Sequence, residues 1–543
     1  MIGKIIGFTV SKDSPDRLRN YRFVKDNYEC RLFREGRLHV FVWGFGELSD
    51  HISSEGFNLA FPSSDSLYDR NVLVRFTDNS VKIENDWLGS IPVFYNNHDR
   101  IVSTNSLMAL GRDLEISNEG MVDYFDFGFS VLEQTFVRNV KFMRYFSQIT
   151  FDSEGITASC KEDPVIARVS ELEEVLDEKE VLETIRKYLQ GVLPNDNHTI
   201  IVPTSGGYDS RLINAMIECK DRVRAFTYGT SKPQSNSFEV TNAKYVSRVL
   251  GIDWKQILLD HYYDYMDEWF DIFGFSTHLH GMYHIEFYRR IREEVGQNCV
   301  FLSGIIGDAW AGRVSIPQIR NAANLTRLGY THGAVLPKSA QRIRSSMSSR
   351  KEFLDENGSF LHDKRIAVIF AMRFKLMLLS YLTTLPEYFG WPVATPFLNM
   401  DIVFSMLRIS PERRKNRAWQ NDYFRGLGIS DEDFEKKGDR SNSLDHEVMK
   451  NGILRKVFKP MSIERMGNYV KDSYISKVNE RMSTLPSRLQ EYRSVLAARH
   501  RYLRGGLKVL GIPYNSHLRY RVSYLIMRAI EKTFDFAGDR DGD

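Results

Sequence analysis

The chain has 543 residues, 42% hydrophobic and 26% charged, the balance of a folded protein with room for several cores at roughly 150 residues per domain. Lysine and arginine total 73 against 70 for aspartate and glutamate, a formal net charge of +3, which excludes the basic excess of a dedicated nucleic-acid binder. Four cysteines, Cys30, Cys160, Cys219 and Cys299, stand far apart, without the CxxC spacing of a zinc site or the density of a disulfide scaffold, as a reducing cytoplasm predicts.

The opening MIGKIIGFTVSKDSPDR lacks the small-residue cleavage site of a secretory signal. The runs IIGFTV, RLHVFVWG, NVLVRF, SVKI, PVFYNN, RIVST and SQITFD, separated by turn residues, predict a β-rich domain over residues 1–165. From Val169, ELEEVLDEKEVLETIRKYLQGVL has helical periodicity and predicts a connector into a second domain over residues 180–440. There HTIIVP, RAFTYG, WKQILL and NCVFL read as strands, with RLINAMIECK and FEVTNAKYVSRVLG as helices between the first three. That alternation predicts an α/β fold with a doubly wound parallel sheet, whose ligands bind at the carboxyl ends of the strands.

The apolar stretch Ile366–Leu385 carries Arg373 and Lys375 near its centre, each costing roughly 2.5–3.5 kcal/mol in a bilayer, so it predicts a buried helix and no membrane span. His278, His280 and His284 in THLHGMYH have no acidic ligand nearby, and they are not read as a zinc centre. Residues 441–543 mix basic and aromatic residues in helical spacing, which predicts a helical C-terminal extension packed by its apolar faces.

The sharpest local signal is Ser205-Gly206-Gly207-Tyr208-Asp209-Ser210, directly after the strand HTIIV and directly before a helix. Glycines let backbone N–H groups turn towards an anion, the helix start adds partial positive charge, and Ser205 and Ser210 offer hydroxyl donors. Asp209 repels a bare phosphate, so its presence makes sense with Mg2+ between the two. A plain turn with a helix cap accounts for SGG and DS separately, but not for their joint placement between a buried strand and a helix. A second Gly-rich turn follows NCVFL, Ser303-Gly304-Ile305-Ile306-Gly307-Asp308. In a parallel sheet both turns emerge at one edge, so Asp308 is expected to face Asp209 across a crevice.

These residues resemble the asparagine synthetase-like family, whose synthetase half is a PP-loop ATP pyrophosphatase domain. Ser205 to Ser210 matches its SGGLDSS motif with Tyr208 at the variable place. Ser303, Gly304 and Asp308 match its SGEGADE motif, where Ile305 and Ala309 replace two glutamates, and Pro396-Phe397-Leu398-Asn399 resembles its PFLD segment with Asn for the acid. Asp86, Gly89, Pro92, Phe94, Tyr95, Ser103 and Leu110 follow the rhythm of the family's glutaminase domain. The resemblance implies an Ntn-like N-terminal domain followed by a PP-loop synthetase domain, using ATP and Mg2+ to adenylate a carboxylate and form an amide. Residue by residue it implies phosphate contacts from Ser205, Gly206, Gly207, Asp209 and Ser210, and a nucleoside lining of Thr204, Tyr228, Ser303 and Gly304. Metal ligation would fall to Asp209 and Asp308.

A catalytic lysine is implied at Lys437, with Lys436 as its rival. Family glutaminases place a nucleophilic cysteine after the initiator Met, where this chain has Met1-Ile2-Gly3. The expectation is a degenerate glutaminase domain and an amine supplied as ammonia, by a protein partner at the N-terminal domain, or by the substrate, as in the family's β-lactam synthetases and lasso-peptide cyclases. The acceptor is then a small-molecule, sugar-acid or peptide carboxylate. Two alternatives stand beside this: a PP-loop enzyme of another class, such as a tRNA-thiolating protein, and an inactive relic serving as a scaffold, for which Ile305, Ala309 and Asn399 speak.

Overall fold

In the computed structural model the described residues are 3–18, 21–194, 198–329, 335–434, 438–485 and 516–538, with isolated positions between 487 and 506. Eleven strands occupy the N-terminal part: β1 (Lys4–Ser11), β2 (Glu29–Glu35), β3 (Leu38–Phe45), β4 (Gly56–Asn58), β5 (Val72–Thr77), β6 (Ser80–Asn85), β7 (Phe94–Asn96), β8 (Ile101–Ser103), β9 (Val140–Phe142), β10 (Ser147–Asp152) and β11 (Ile156–Cys160). They form two sheets, in the orders β2-β3-β1-β8-β7-β9 and β11-β10-β6-β5-β4. Period-2 alternation decides what each face does. Phe8 and Val10 of β1, Val40 and Val42 of β3, Val72 and Val74 of β5, and Val81 and Ile83 of β6 share one core between the sheets. Phe41 and Trp43, from the opposite face of β3, join the larger core that continues into the rest of the chain, as does Ile6, which the register shift between Ile5 and Gly7 turns away from Phe8 and Val10. Each such side chain contributes about 1.5–3 kcal/mol on full burial.

The second part holds five parallel strands: β12 (Thr199–Pro203), β13 (Val223–Thr227), β14 (Asp253–Gln256), β15 (Cys299–Leu302) and β16 (Val393–Ala394). Their order is β14-β13-β12-β15-β16. The chain leaves β12 towards one edge, then returns to β15 on its other side. The switch point of the sheet therefore lies between β12 and β15, where open α/β sheets bind their ligands.

Buried charges join the two parts. Glu387, 2% exposed, takes both prongs of Arg70 at 2.9 and 2.8 Å and is also paired with Lys4. Arg373 reaches Asp163 at 2.6 and 2.8 Å and the Trp87 carbonyl at 3.1 Å. The apolar stretch forms the helices Lys364–Leu379 and Tyr381–Tyr388. By length and composition it could cross a membrane, yet 89% of its most apolar window is buried inside the fold. Burial pushes Lys375 down to about 7. Of residues 441–543, the helices Leu444–Leu454, Asp472–Met482 and Ser516–Gly538 pack on the second part, the last by Tyr524, Leu525, Ile526, Met527 and Ile530.

Candidate functional site

β12 is apolar and buried through Ile200, Ile201 and Val202, and the ladder runs one residue past it, where Thr204 N–H donates to the Phe226 carbonyl at 2.8 Å. The chain then turns through Ser205–Gly207 into the helix Tyr208–Met216. The serine hydroxyls knit this turn: Ser205 N–H donates to Ser210 Oγ at 3.1 Å and Gly207 N–H to Ser205 Oγ at 3.1 Å. To the donor role expected of these hydroxyls the structure adds an acceptor role that shapes the turn. Neither glycine adopts a left-handed backbone; Gly206 is needed because a Cβ there would lie 2.6 Å from Asn242 Cβ. Arg211, fully buried, fixes the turn from behind. It donates to the carbonyls of Gly206 at 2.7 Å and Ile429 at 3.0 Å and to Asp431 at 2.9 Å.

β15 leads into the second turn, in which Ile306 holds a left-handed φ of 58° ahead of the short helix Gly307–Trp310. A side chain there costs of order 1–3 kcal/mol in strain, a feature concentrated at functional sites. The two turns abut: a Cβ on Gly304 would stand 3.2 Å from the Asp209 carbonyl carbon, and one on Gly307 would stand 2.9 Å from Asp209 Oδ1. That oxygen is enclosed and has no hydrogen-bond partner. Burial, and then the neighbouring Asp308, push the Asp209 carboxyl well above the usual carboxylate range. Arg417 meets the pair, donating to Asp308 Oδ1 at 2.5 Å while its guanidinium lies 3.5 Å from the Tyr208 ring centroid. It does so from a left-handed φ of 59°, beside Asn416 at 55°.

An enclosed, unpartnered carboxylate oxygen beside a second carboxylate suits a hard divalent cation. Among the described residues no group of three or more His, Cys, Asp or Glu gathers for a metal. Two protein carboxylates with the remaining ligands left to water and phosphate is the pattern Mg2+ takes on a nucleotide.

Beside the acids opens a cavity of about 250 Å³. Thr204, Ser205, Asp209 and Ser210 form its polar end, and Tyr228, Ser303 and Gly304 its sides. Phe287, Tyr288, Phe301 and Leu382 give it an apolar wall. His284 and Glu239 also reach it, the latter accepting a hydrogen bond from Thr230 Oγ1 at 3.3 Å. Burial pushes His284 down to about 3, so the imidazole is neutral, and its Nδ1 has no partner.

Seven of the expected residues, Thr204, Ser205, Asp209, Ser210, Tyr228, Ser303 and Gly304, thus line one cavity. Gly206 and Gly207 shape its turn, and Asp308 stands beside Asp209. Of the two departures near Asp308, only Ile305 faces the cavity; Ala309 is buried in the core. Asn399 caps the helix Met400–Leu407, accepting from Asp401 and Ile402 N–H at 3.1 and 3.2 Å, and its amide donates to Asp69 at 3.3 Å. Its exchange for an acid belongs to that contact and leaves the cavity untouched. His278 accepts from His280 N–H at 3.1 Å, the His280 ring meets Arg521 at 3.2 Å, and His284 borders the cavity. Met1, Ile2, Lys436 and Lys437 lie outside the described residues. Residue patterns missed Arg417, Glu239 and the wall Phe287–Tyr288, because each reaches the site from a distant segment through packing alone.

No family model matches the chain, and no curated protein matches it. Among solved structures it is similar to an NH3-dependent NAD synthetase from Campylobacter jejuni subsp. jejuni NCTC 11168, in complex with the nitrate ion. The identity is 15% and the TM-score 0.22, over 38% of this chain and 96% of that one. At that distance function has to be drawn from the site itself.

Proposed function

We propose that the chain is an ATP-dependent, AMP-forming amide ligase of the asparagine synthetase-like kind, which adenylates a carboxylate and passes it to an amine or ammonia. One observation carries this: at the switch point of a parallel sheet, a strand–turn–helix presents to Asp308 an enclosed Asp209 carboxyl, one of whose oxygens, Oδ1, has no hydrogen-bond partner. In the ligand-free protein that pair is electrostatically unfavourable, and a Mg·ATP complex relieves it.

The Gly206 N–H, the Ser205 hydroxyl and the start of the following helix hold the phosphates, with Ser210 Oγ and Ser205 Oγ fixing the turn by accepting from the Ser205 and Gly207 N–H groups. Thr204, Tyr228, Ser303 and Gly304 enclose the nucleoside, with the base against the aromatic wall. Asp209 and Asp308 hold Mg2+, which when bound neutralises charge building on the departing pyrophosphate. Arg417, now on Asp308, stands where it can take a phosphate oxygen and add to that neutralisation. Lys437, with Lys436 as rival, is assigned to the negative charge of amide formation. The acceptor is a small-molecule, sugar-acid or peptide carboxylate, and the setting is cytoplasmic. Two of the chain's four thiols do not suit glutamine hydrolysis: burial pushes Cys30 and Cys299 up to about 11, the reverse of an activated thiolate. The amine then comes from ammonia, from a partner at the N-terminal part, or from the substrate.

Product analysis tests this. With ATP, Mg2+ and a panel of aspartate, uronic acids and peptides, the account expects AMP and pyrophosphate, with the acyl group trapped by hydroxylamine as a hydroxamate. Lys437→Ala is expected to leave hydroxamate formation intact and to block amide formation. ADP as product, or a protein that neither binds nor turns over ATP, contradicts the proposal, and the latter points to a scaffold.

A further inference from the structure

The cavity is lined from within residues 203–382, but part of what supports its walls comes from beyond residue 440. The C-terminal helix Ser516–Gly538 carries Arg521, which is fully buried. Its guanidinium meets three other segments at once. It donates to Tyr263 Oη, to Asp445 at 3.0 and 2.9 Å, and to His280 Nδ1 at 3.2 Å. Tyr262 Oη donates to the same Asp445 at 2.7 Å. Burial, and then Arg521, push His280 down to about 4, so the imidazole is neutral and its Nδ1 is free to accept.

Two short routes lead from this cluster to the cavity. On one, Asp445 opens the helix Leu444–Leu454, and the N–H groups of Ser443 and Leu444 both donate to the Thr230 carbonyl, at 2.9 and 2.7 Å. Thr230 lines the cavity and donates to Glu239, which also lines it. On the other, the His280 ring packs on Tyr283 at 5.5 Å between centroids, and Tyr283 packs on Tyr228 at 5.6 Å. Tyr228 is a cavity wall. Neither route touches the phosphate turn, which is held by Arg211 and the serine hydroxyls.

A buried arginine is expensive to desolvate, and an apolar residue of similar volume often gives equal or better stability, so retention of such a cluster fits a role in fixing geometry. We propose that Arg521 is a positioning residue for the nucleoside part of the site: the C-terminal helix braces the cavity from behind, and the Arg521–Asp445–His280–Tyr263 cluster holds its Thr230 and Tyr228 walls in register. The proposal rests on the nucleotide assignment above.

The experiment uses the full chain and compares two ligands, Mg·ATP and Mg·pyrophosphate, which share the phosphate turn but not the nucleoside walls. Arg521→Met removes the charge and the fork. Tyr263→Phe removes one hydroxyl and keeps the fold if the larger change does not. The expected result is a Kd for Mg·ATP weakened about tenfold or more in Arg521→Met, and several-fold in Tyr263→Phe, with Mg·pyrophosphate affinity unchanged. In a double-mutant cycle, adding Asp445→Asn to Arg521→Met is expected to cost less than the sum of the single changes, because the residues act as a unit. An unchanged Kd for Mg·ATP in the folded variants overturns the proposal, as does an equal loss for both ligands, which marks a general loss of structure. If the unaltered protein binds pyrophosphate but not ATP, or binds neither, the nucleotide assignment itself fails, and the positioning role with it.

Discussion

Gly307→Ala probes the contact between the two turns, where a single methyl group separates two consequences. The added Cβ would lie 2.7 Å from two atoms of the Phe397 ring and 2.9 Å from Asp209 Oδ1, where ordinary carbon contacts need about 3.5–4.0 Å. Phe397 is fully buried, so the ring cannot retreat freely, and overpacking of this kind costs about 1–3 kcal/mol. Gly307 sits in a short helix without a left-handed φ, so alanine regains about 0.8–1 kcal/mol of propensity. The net destabilisation is about 0–2 kcal/mol, a fall in Tm of no more than about 8 °C. Ligand binding carries the sharper signal. At a hundredfold excess over Kd, Mg·ATP stabilises a folded protein by about 2.7 kcal/mol, and displacement of the Asp209 carboxylate removes most of that. The assay is thermal unfolding with and without Mg·ATP. Gly191→Ala serves as the control, since its Cβ meets nothing within 4 Å. A Gly307→Ala protein with the full Mg·ATP shift would show that Asp209 and the second turn do not form one site.

Asp209→Asn is expected to abolish the Mg·ATP shift yet raise the Tm of the ligand-free protein. Burial and Asp308 raise the folded-state pKa of Asp209, so its favourable contribution is present below the unfolded value and is lost as pH rises through the folded one. The gain from Asn is therefore largest at alkaline pH and shrinks towards pH 4, as melts across pH will show. Lys375→Met follows the opposite course. Burial holds the folded-state pKa at about 7 against 10.5, so the charged form is penalised below 7 and the penalty fades between 7 and 10.5. The variant should be more stable than wild type at pH 6–7, with the difference closing by pH 10–11. Glu387→Gln leaves Lys4 and Arg70 buried without their carboxylate. The expected loss is about 3–5 kcal/mol, read as a lower urea midpoint, and a change below about 1 kcal/mol would refute the reading of this triad as a junction between the two parts.

The strands legible in the sequence are those whose burial alternates or is continuous. β1, β3, β5, β6 and β10 show this as IIGFTV, RLHVFVWG, NVLVRF, SVKI and SQITFD. β2 escaped because ECRLFRE is a half-exposed edge strand carrying charges along its length, and β16 because two residues leave no periodicity to detect. At the site, the turn residues were legible since local backbone geometry demands them in a short run. The role of the glycines was not: close packing on Asn242 and Phe397, rather than a left-handed backbone, is what requires Gly206 and Gly307. Arg417 lies more than a hundred residues beyond the acid it meets, and Arg521 lies more than two hundred from His280 and Tyr263, so only tertiary packing reveals either one.

ATP–pyrophosphate exchange tests the central claim most directly, because it reports reversible adenylation without requiring the amine to be known. The account predicts Mg2+-dependent exchange with one class of carboxylate, lost in Asp209→Asn and in Asp308→Asn. No exchange with any carboxylate, in a protein that also fails to bind Mg·ATP, would contradict it.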